Sequence, residues 1–461
     1  MTGAVQRVAV LGGGIAAPMA ALAIRRAYGR MGVTVRWHDD GTRPPRHAAL
    51  VAPPDLVGFH GLLGIGDAAL IDHAHATLTL GQQFVGWGGD DVFLHAYGDA
   101  GTPFASLPFI QHWTRARHAG LRVPLEEFCI AAVAAKQGRV GAVRDPAVPQ
   151  AVKPGRHLDA QGYAAVLRAA CRAAGVEIVA AEVAAEADLI VDARDAAEDG
   201  APAPLCDRMI LASAPPIDPI PLHGRMIAHD AGWIALTPLA DRVAVACHYA
   251  SARMREQDAL AALQQAVGRA VQSDPAVAVA ARRVPGWTGN RVTIAQPDGI
   301  AATLDGAGLI ELQLAIAQLI LLWPIDRVAM IEAEQYGDEL RGTRARIADF
   351  SAQHFRLNAR GSPFWEAARA APMSLELAAK IDLFAARGMV AHFDQEAHVD
   401  DGWALCMAGH GVVPRSHDPQ ALLVEDQALM AEFQRQLCAI AAEVRAMPTH
   451  AQALAALRSG R

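Results

Sequence analysis

A short apolar run that breaks into glycines and resumes as an alanine-rich helix sets the frame for this chain. Val8-Ala9-Val10-Leu11 reads as a buried strand, Gly12-Gly13-Gly14 as a turn, and the stretch to about Tyr28 as a helix. The pattern is G-x-G-x-x-A, with Gly12, Gly14 and Ala17 at its key positions. Gly12 permits a tight turn, Gly14 lets the backbone approach a diphosphate, and Ala17 lets the helix lie close on the strand. Ile15 and Ala16 then offer free backbone N–H groups at the positive end of the helix. The arrangement is that of a dinucleotide cradle; a bare strand–helix turn without a ligand is the simpler alternative.

The second strand, Val33 to Trp37, should end in an acid for the adenosine ribose. Trp37 and His38 stand there instead, and Asp39 and Asp40 follow at once, so Asp39 is the expected ribose acid, shifted by a residue or two. The weakened acid predicts that a dinucleotide is held loosely.

A net charge of −7 gives no electrostatic footprint for nucleic acid. No apolar run is long enough to span a membrane, and the start of the chain carries no secretory pattern, so a cytoplasmic setting is expected. Six scattered cysteines without a C-x-x-C pair point to neither zinc nor a disulfide framework. The only lysines are Lys136, Lys153 and Lys380.

Along the chain, a turn-rich segment from Gly41 to Pro54 precedes a helix-like stretch from Gly61 to His75. Thr77 to Trp87 alternates as a strand does, 89–120 reads as irregular, and Pro124 to Gln137 as a helix. Asp159 is a plausible N-cap for a helix to Ala174. Strands at Gly175–Val179 and Ala187–Ala193 follow, the second ending in aspartate, and Gly232 to Tyr249 has the alternation of an antiparallel sheet. A helix from Gly308 to Leu322 ends at Pro324, and the rest is helical. The expected fold is α/β: an FAD-binding Rossmann-like core with an inserted antiparallel sheet over 1–325, and a C-terminal helical layer over 326–461.

These residues carry a resemblance. Gly12 to Met19, Phe84-Val85-Gly86-Trp87, His157-Leu158-Asp159, Asp207-Arg208, Ala231 to Pro238 and Trp287-Thr288-Gly289-Asn290 run in the order found in the flavin-dependent tryptophan halogenases. So do Ile347 to Phe350, His354 to Asn358, Ser362 to Trp365, Asp401-Gly402-Trp403 and Gly409 to Pro414. The resemblance implies FAD, reduced by a separate flavin reductase, and an aromatic small-molecule or peptide substrate, with a homodimer or heteromer as further partners. In that family hypohalous acid travels through the protein, a lysine captures it, and a glutamate assists the aromatic substitution.

The resemblance places Thr79 at the lysine position and Asp305 at the glutamate, one methylene shorter. A threonine can donate a hydrogen bond but supplies no amine; as a plain β-branched strand residue it needs no role. Asp305 suits a turn beside Gly306 equally well. Gly299, Gly306, Ala307 and Gly308 would let the backbone approach the flavin, and Trp233 and Trp403 would line a substrate pocket. The family's glutamate–proline pair is Ala302-Thr303 here, its second tryptophan is Ala235, and Val51-Ala52-Pro53-Pro54-Asp55 replaces its flavin-lining strand. Two functions follow as expectations: a halogenase-like flavin oxidoreductase that does not chlorinate tryptophan in the ordinary lysine-dependent way, or a degenerate binding subunit. His112, His354 and His410 are further candidates for titration near neutrality, with a hydrogen-bonded structural role the commoner one for a lone histidine in an apolar context.

Overall fold

The computed structural model describes residues 3–88, 92–180, 186–194, 204–279, 285–297 and 304–460. The first strand, Arg7–Leu11, lies in the middle of a six-stranded sheet between Leu189–Asp192 and Thr34–His38, both parallel to it. Its near-continuous apolar run is what burial on two faces requires. The helix Ala16–Tyr28 packs back on this sheet through Ala16, Ala17, Ala20, Ala21 and Ala23, all buried. Small side chains there let the helix axis come close to the strands, as the sequence pattern implied.

A second, larger sheet is mainly antiparallel and includes Arg208–Ala214, Val243–Tyr249, Gly232–Pro238, Gly224–His229, Gly81–Val85 and Val92–Ala96 in that order. Its alternation sorts two cores. Trp233 and Ala235 face Phe84, Trp87 and Trp365, while Ile234 and Leu236 face Val245, Cys247 and the helix Glu256–Val267. Each large side chain so buried stabilises the fold by about 2–3 kcal/mol.

Several segments differ from the sequence reading. The helix-like stretch from Gly61 to His75 is two helices, Pro54–Leu63 and Asp67–His73, and Pro124 to Gln137 is a 3-10 turn, Leu125–Phe128, before the helix Ile130–Lys136. The turn-rich stretch holds a strand, Ala49–Ala52, paired with Gly155–Asp159 in a three-stranded sheet with Thr77–Thr79. Pro53 and Pro54 discouraged that assignment, but they fall just past the strand, where Pro54 opens the helix Pro54–Leu63. Segment 89–120 contains a strand, Val92–Ala96, and a helix, Phe109–His118. His157-Leu158 belongs to a strand rather than to the helix; Asp159 is the N-cap, accepting from the Gly162 N–H at 2.6 Å.

The helices after residue 326 share a core with the earlier chain. Phe350, Phe384, Trp403, Phe433 and Val444 pack with Leu78, Phe109, Phe128 and Ile130. No helix among the described residues is long and apolar enough to cross a membrane.

Burial also predicts how the fold responds to acid. Desolvation pushes His60 and His229 down to about 4, and His157 and His248 to about 3. A histidine depressed in the fold binds its proton first in the unfolded chain. Its contribution is therefore complete above the unfolded value near 6.5 and is lost as pH falls from there toward 3–4. Glu311, Asp349 and Asp401, raised by burial, oppose this as pH falls through their raised values. Urea midpoints should thus drop steadily between about pH 6.5 and 5; a flat profile there would contradict the neutral-buried assignment.

Candidate active site

The turn before the helix Ala307–Leu321 places one carboxylate at the centre of a buried histidine cluster. Asp305 has φ +53° and Gly306 has φ +69°, consecutive left-handed residues that aspartate and glycine tolerate. The Asp305 N–H donates to Gln82 Oε1 at 2.9 Å. Its Oδ1 lies 3.0 Å from His95 Nδ1 and its Oδ2 lies 3.1 Å from His354 Nε2. His354 Nδ1 lies 2.9 Å from His410 Nε2. Gln82 and His95 are direct partners across the ladder of adjacent strands, so a single rung of the sheet fixes both the backbone and the side chain of Asp305.

Burial by itself would raise the Asp305 pKa. The adjoining imidazoles, His354 ahead of His95, reverse that effect and hold the carboxyl well below its usual range. With Asp305 ionised, each flanking ring must turn an N–H toward it. In neutral rings that arrangement would leave His354 Nδ1 to accept from His410 Nε2 and His95 Nε2 as a lone pair. Burial holds His410 well below its ordinary value, consistent with a neutral ring in that chain. Phe84 stacks on His354 at 4.2 Å and Phe93 on Phe84 at 5.0 Å, fixing the cluster from the side.

Asp305 and His95 line a cavity of ≈ 410 Å³ together with Tyr97, Lys153, Glu396 and His398. His398 stacks on Phe350 at 3.7 Å, and burial pushes its pKa down to about 3. Lys153 makes no ion pair with a described residue, whereas Lys136 pairs with Glu126 and Glu127 and Lys380 with Glu396. Lys153 stands two residues before Gly155, the cross-strand partner of Thr79.

A second cavity, ≈ 250 Å³, is lined by Gly14, Ile15, Ala49, Leu50, Thr237 and Gln296, among others. The strand Ala49–Ala52 and the two prolines after it divide the cavities: Ala49 and Leu50 face this one, Pro53 and Pro54 the other. The glycine cradle suits a dinucleotide. Gly12 has φ +116°, and a Cβ there would meet the Ala193 backbone at 2.9 Å. A Cβ on Gly306 would lie 2.7 Å from Val51 O and 2.8 Å from Pro53. The donor set at the helix start and the small residues around it fit a flavin dinucleotide. Gln296, however, already contacts Gly13, Ile15 and Ala16.

The other residues named from sequence fall as follows. Ala17 is buried under the first helix, and Ala307 and Gly308 are buried in the first turn of theirs. Asp39 follows its strand, but Arg43 holds it at 2.9 and 3.0 Å and Arg168 pairs with it as well. Arg168 also lies over Trp37, 4.9 Å from the ring centre. Thr79 is fully buried and its Oγ1 donates to Gly81 O at 3.0 Å; it lines neither cavity. Neither of the two tryptophans expected to line a substrate pocket is among the residues that line these two cavities. Trp233 is in the sheet core, stacked on His248 at 4.7 Å, and Trp403 packs on Phe350 at 4.9 Å behind the cavity wall. Large rings at apolar positions are core before they are pocket. Gly299, Ala302 and Thr303 lie outside the described residues. His112 stacks on Phe104 at 3.8 Å and its Nε2 lies 3.1 Å from Phe104 O; it lines neither cavity. His95 was missed as a site residue, because only the ladder brings it opposite Gln82.

A dinucleotide cradle and an enclosed acid–histidine cluster, set on either side of one short strand, define a flavin-oxidoreductase type of site. The family model of tryptophan halogenases matches residues 7–195 and 186–426, and the chain belongs to that family. It is 26% identical to a 7-chloro-L-tryptophan 6-halogenase of Kutzneria sp. (strain 744) over 159 residues, 34% of this chain and 31% of that relative. The match thus spans under a third of the relative's length. Among solved structures, it resembles a flavin-dependent halogenase from Brevundimonas sp. BAL3 with TM-score 0.88 and 25% identity, covering 98% of this chain and 99% of that one. A flavin-dependent halogenase from Xanthomonas campestris aligns with TM-score 0.89 and 24% identity over 98% of both chains.

Proposed function

We propose that the chain is a flavin-dependent halogenase-like oxidoreductase that modifies an aromatic substrate in the ≈ 410 Å³ cavity. The observation that carries this reading is the Asp305 cluster: a buried carboxylate between two imidazoles, of which His95 lines the cavity with it and His354 lies behind. Held in the neighbouring cavity, reduced FAD from a separate reductase would supply the two electrons that activate oxygen, the oxidant that converts halide to hypohalous acid with release of water. Gly12, Gly14, Ile15 and Ala16 would hold its diphosphate, and Gly306 to Gly308 would face its ring.

The chain's own groups supply the rest. Electrophilic substitution leaves a cationic ring intermediate that must lose a proton. Asp305 stabilises that positive charge, and His95 Nε2 takes the proton, because the Asp305 bond commits Nδ1 to donation. Lys153, which makes no ion pair with a described residue, stands in at this cavity for the amine that Thr79 lacks.

A second reading, a non-catalytic partner subunit, is favoured by the engagement of Asp39 with two arginines and of the helix start with Gln296. The two are separated by supplying reduced FAD, oxygen and bromide with a panel of indoles, tryptophan and tryptophan-containing peptides. A brominated product that survives a hypohalite scavenger supports the enzyme. Absence of product and of oxidant across the panel supports the subunit. Free tryptophan with chloride is expected to give none.

A further inference from the structure

The side chain of Gln296 occupies the place of an anion. Its Oε1 accepts from the N–H groups of Ile15 at 3.1 Å and Ala16 at 3.2 Å, at the start of a helix of 13 residues. Its Nε2 donates to Gly13 O at 3.1 Å and Ala193 O at 2.8 Å. The fit is tight, since a Cβ on Gly14 would lie 2.7 Å from Oε1. The same amide lines the ≈ 250 Å³ cavity. Those two N–H groups are the donors that such a helix start offers to phosphate oxygens.

We propose that Gln296 is an intramolecular competitor for the cofactor's diphosphate, and that it sets the affinity of the site. The inference rests on the flavin reading above. The chemistry of the pocket selects an amide. It must accept from two N–H groups and donate to two carbonyls at once, which a carboxylate or a phosphate cannot do. A diphosphate therefore enters only when the amide leaves, and the carbonyls of Gly13 and Ala193 must then turn to other donors. Each hydrogen bond surrendered lowers the net gain of binding.

The consequence reverses the usual effect of deleting a polar residue from a binding site. Gln296→Ala should bind diphosphate ligands about ten- to a hundredfold more tightly than the wild type. Gln296→Glu should bind them more weakly, because its carboxylate keeps the two N–H groups and repels phosphate. The full-length protein and both variants are titrated with FAD and riboflavin by flavin fluorescence, and with ADP by calorimetry. Thermal melting of each ligand-free protein checks the fold. Support is tightening of FAD and ADP in Gln296→Ala with riboflavin unchanged, and weakening in Gln296→Glu. Equal or weaker FAD binding by a folded Gln296→Ala overturns the proposal alone, as does undiminished FAD binding by Gln296→Glu should the alanine variant not fold. FAD and ADP bound by none of the three proteins overturns the flavin reading, and this proposal with it.

Discussion

Asp305→Asn should yield a folded protein whose aromatic substitution is slower by about 10²–10⁴-fold. Asparagine is among the few side chains that accept the left-handed backbone of position 305, so the turn survives. What fails is the pattern of donors and acceptors. Asp305 accepts from His95 at one oxygen and from His354 at the other. An asparagine amide accepts at one atom and donates at the other, so one imidazole must reverse its tautomer. If that ring is His95, its cavity-side nitrogen acquires a proton and can no longer remove one. FAD affinity should remain within about twofold of the wild type, because the cradle is untouched. The measurement is single-turnover product formation with reduced FAD and bromide, beside a flavin titration. Unchanged turnover in the folded variant would mean that Asp305 serves only the turn.

The largest effect on stability should come from Lys380. It is fully buried, pairs with Glu396 and lies 4.7 Å from the Trp403 ring centre. Taking the ammonium away leaves an uncompensated carboxylate in the interior, so Lys380→Met should cost about 3–5 kcal/mol. Adding Glu396→Gln should recover most of that loss, since the penalty belongs to the stranded charge rather than to the missing attraction. Urea midpoints of the two single variants and the double variant read this directly. A double variant no more stable than Lys380→Met would show that packing of the lysine stem on Trp403 and Phe393 carries the effect instead.

The parts of the fold that were legible in the sequence are those written in local pattern. Val8 to Tyr28 states its own strand, turn and helix, and the alternation of Gly232 to Tyr249 states its sheet. Ala49–Ala52 was hidden by the prolines that follow it, since a four-residue strand gives little periodicity to set against them. Within the site, Asp305 could be named because the resemblance puts it at the family's glutamate position. His95 could not, because its meaning is long-range: it faces Gln82 across the ladder and reaches Asp305, 210 residues on. Trp233 and Trp403 misled in the opposite direction. A tryptophan in sequence does not reveal whether its ring faces a void or a neighbour, and here both face neighbours. Gln296 left no trace in any motif, since an amide at the dinucleotide turn is visible only from its bonds.

The strand Ala49–Ala52 and the prolines after it serve both chambers as a common wall, with Leu50 on one side and Pro53 on the other. Behind it Gly306 leaves no space, because even one added carbon would press on Val51 and Pro53. Remodelling the protein for bulkier aromatics is therefore unsymmetrical. Trimming or enlarging the shared wall would alter both cavities at once and, on the function proposed above, confound any gain in substrate range with a change in cofactor placement. The opposite side, where Gly402 and the largely exposed Val399 border the cavity, has no second tenant. Libraries built there can widen or narrow the entrance while the oxidant's source stays where it is.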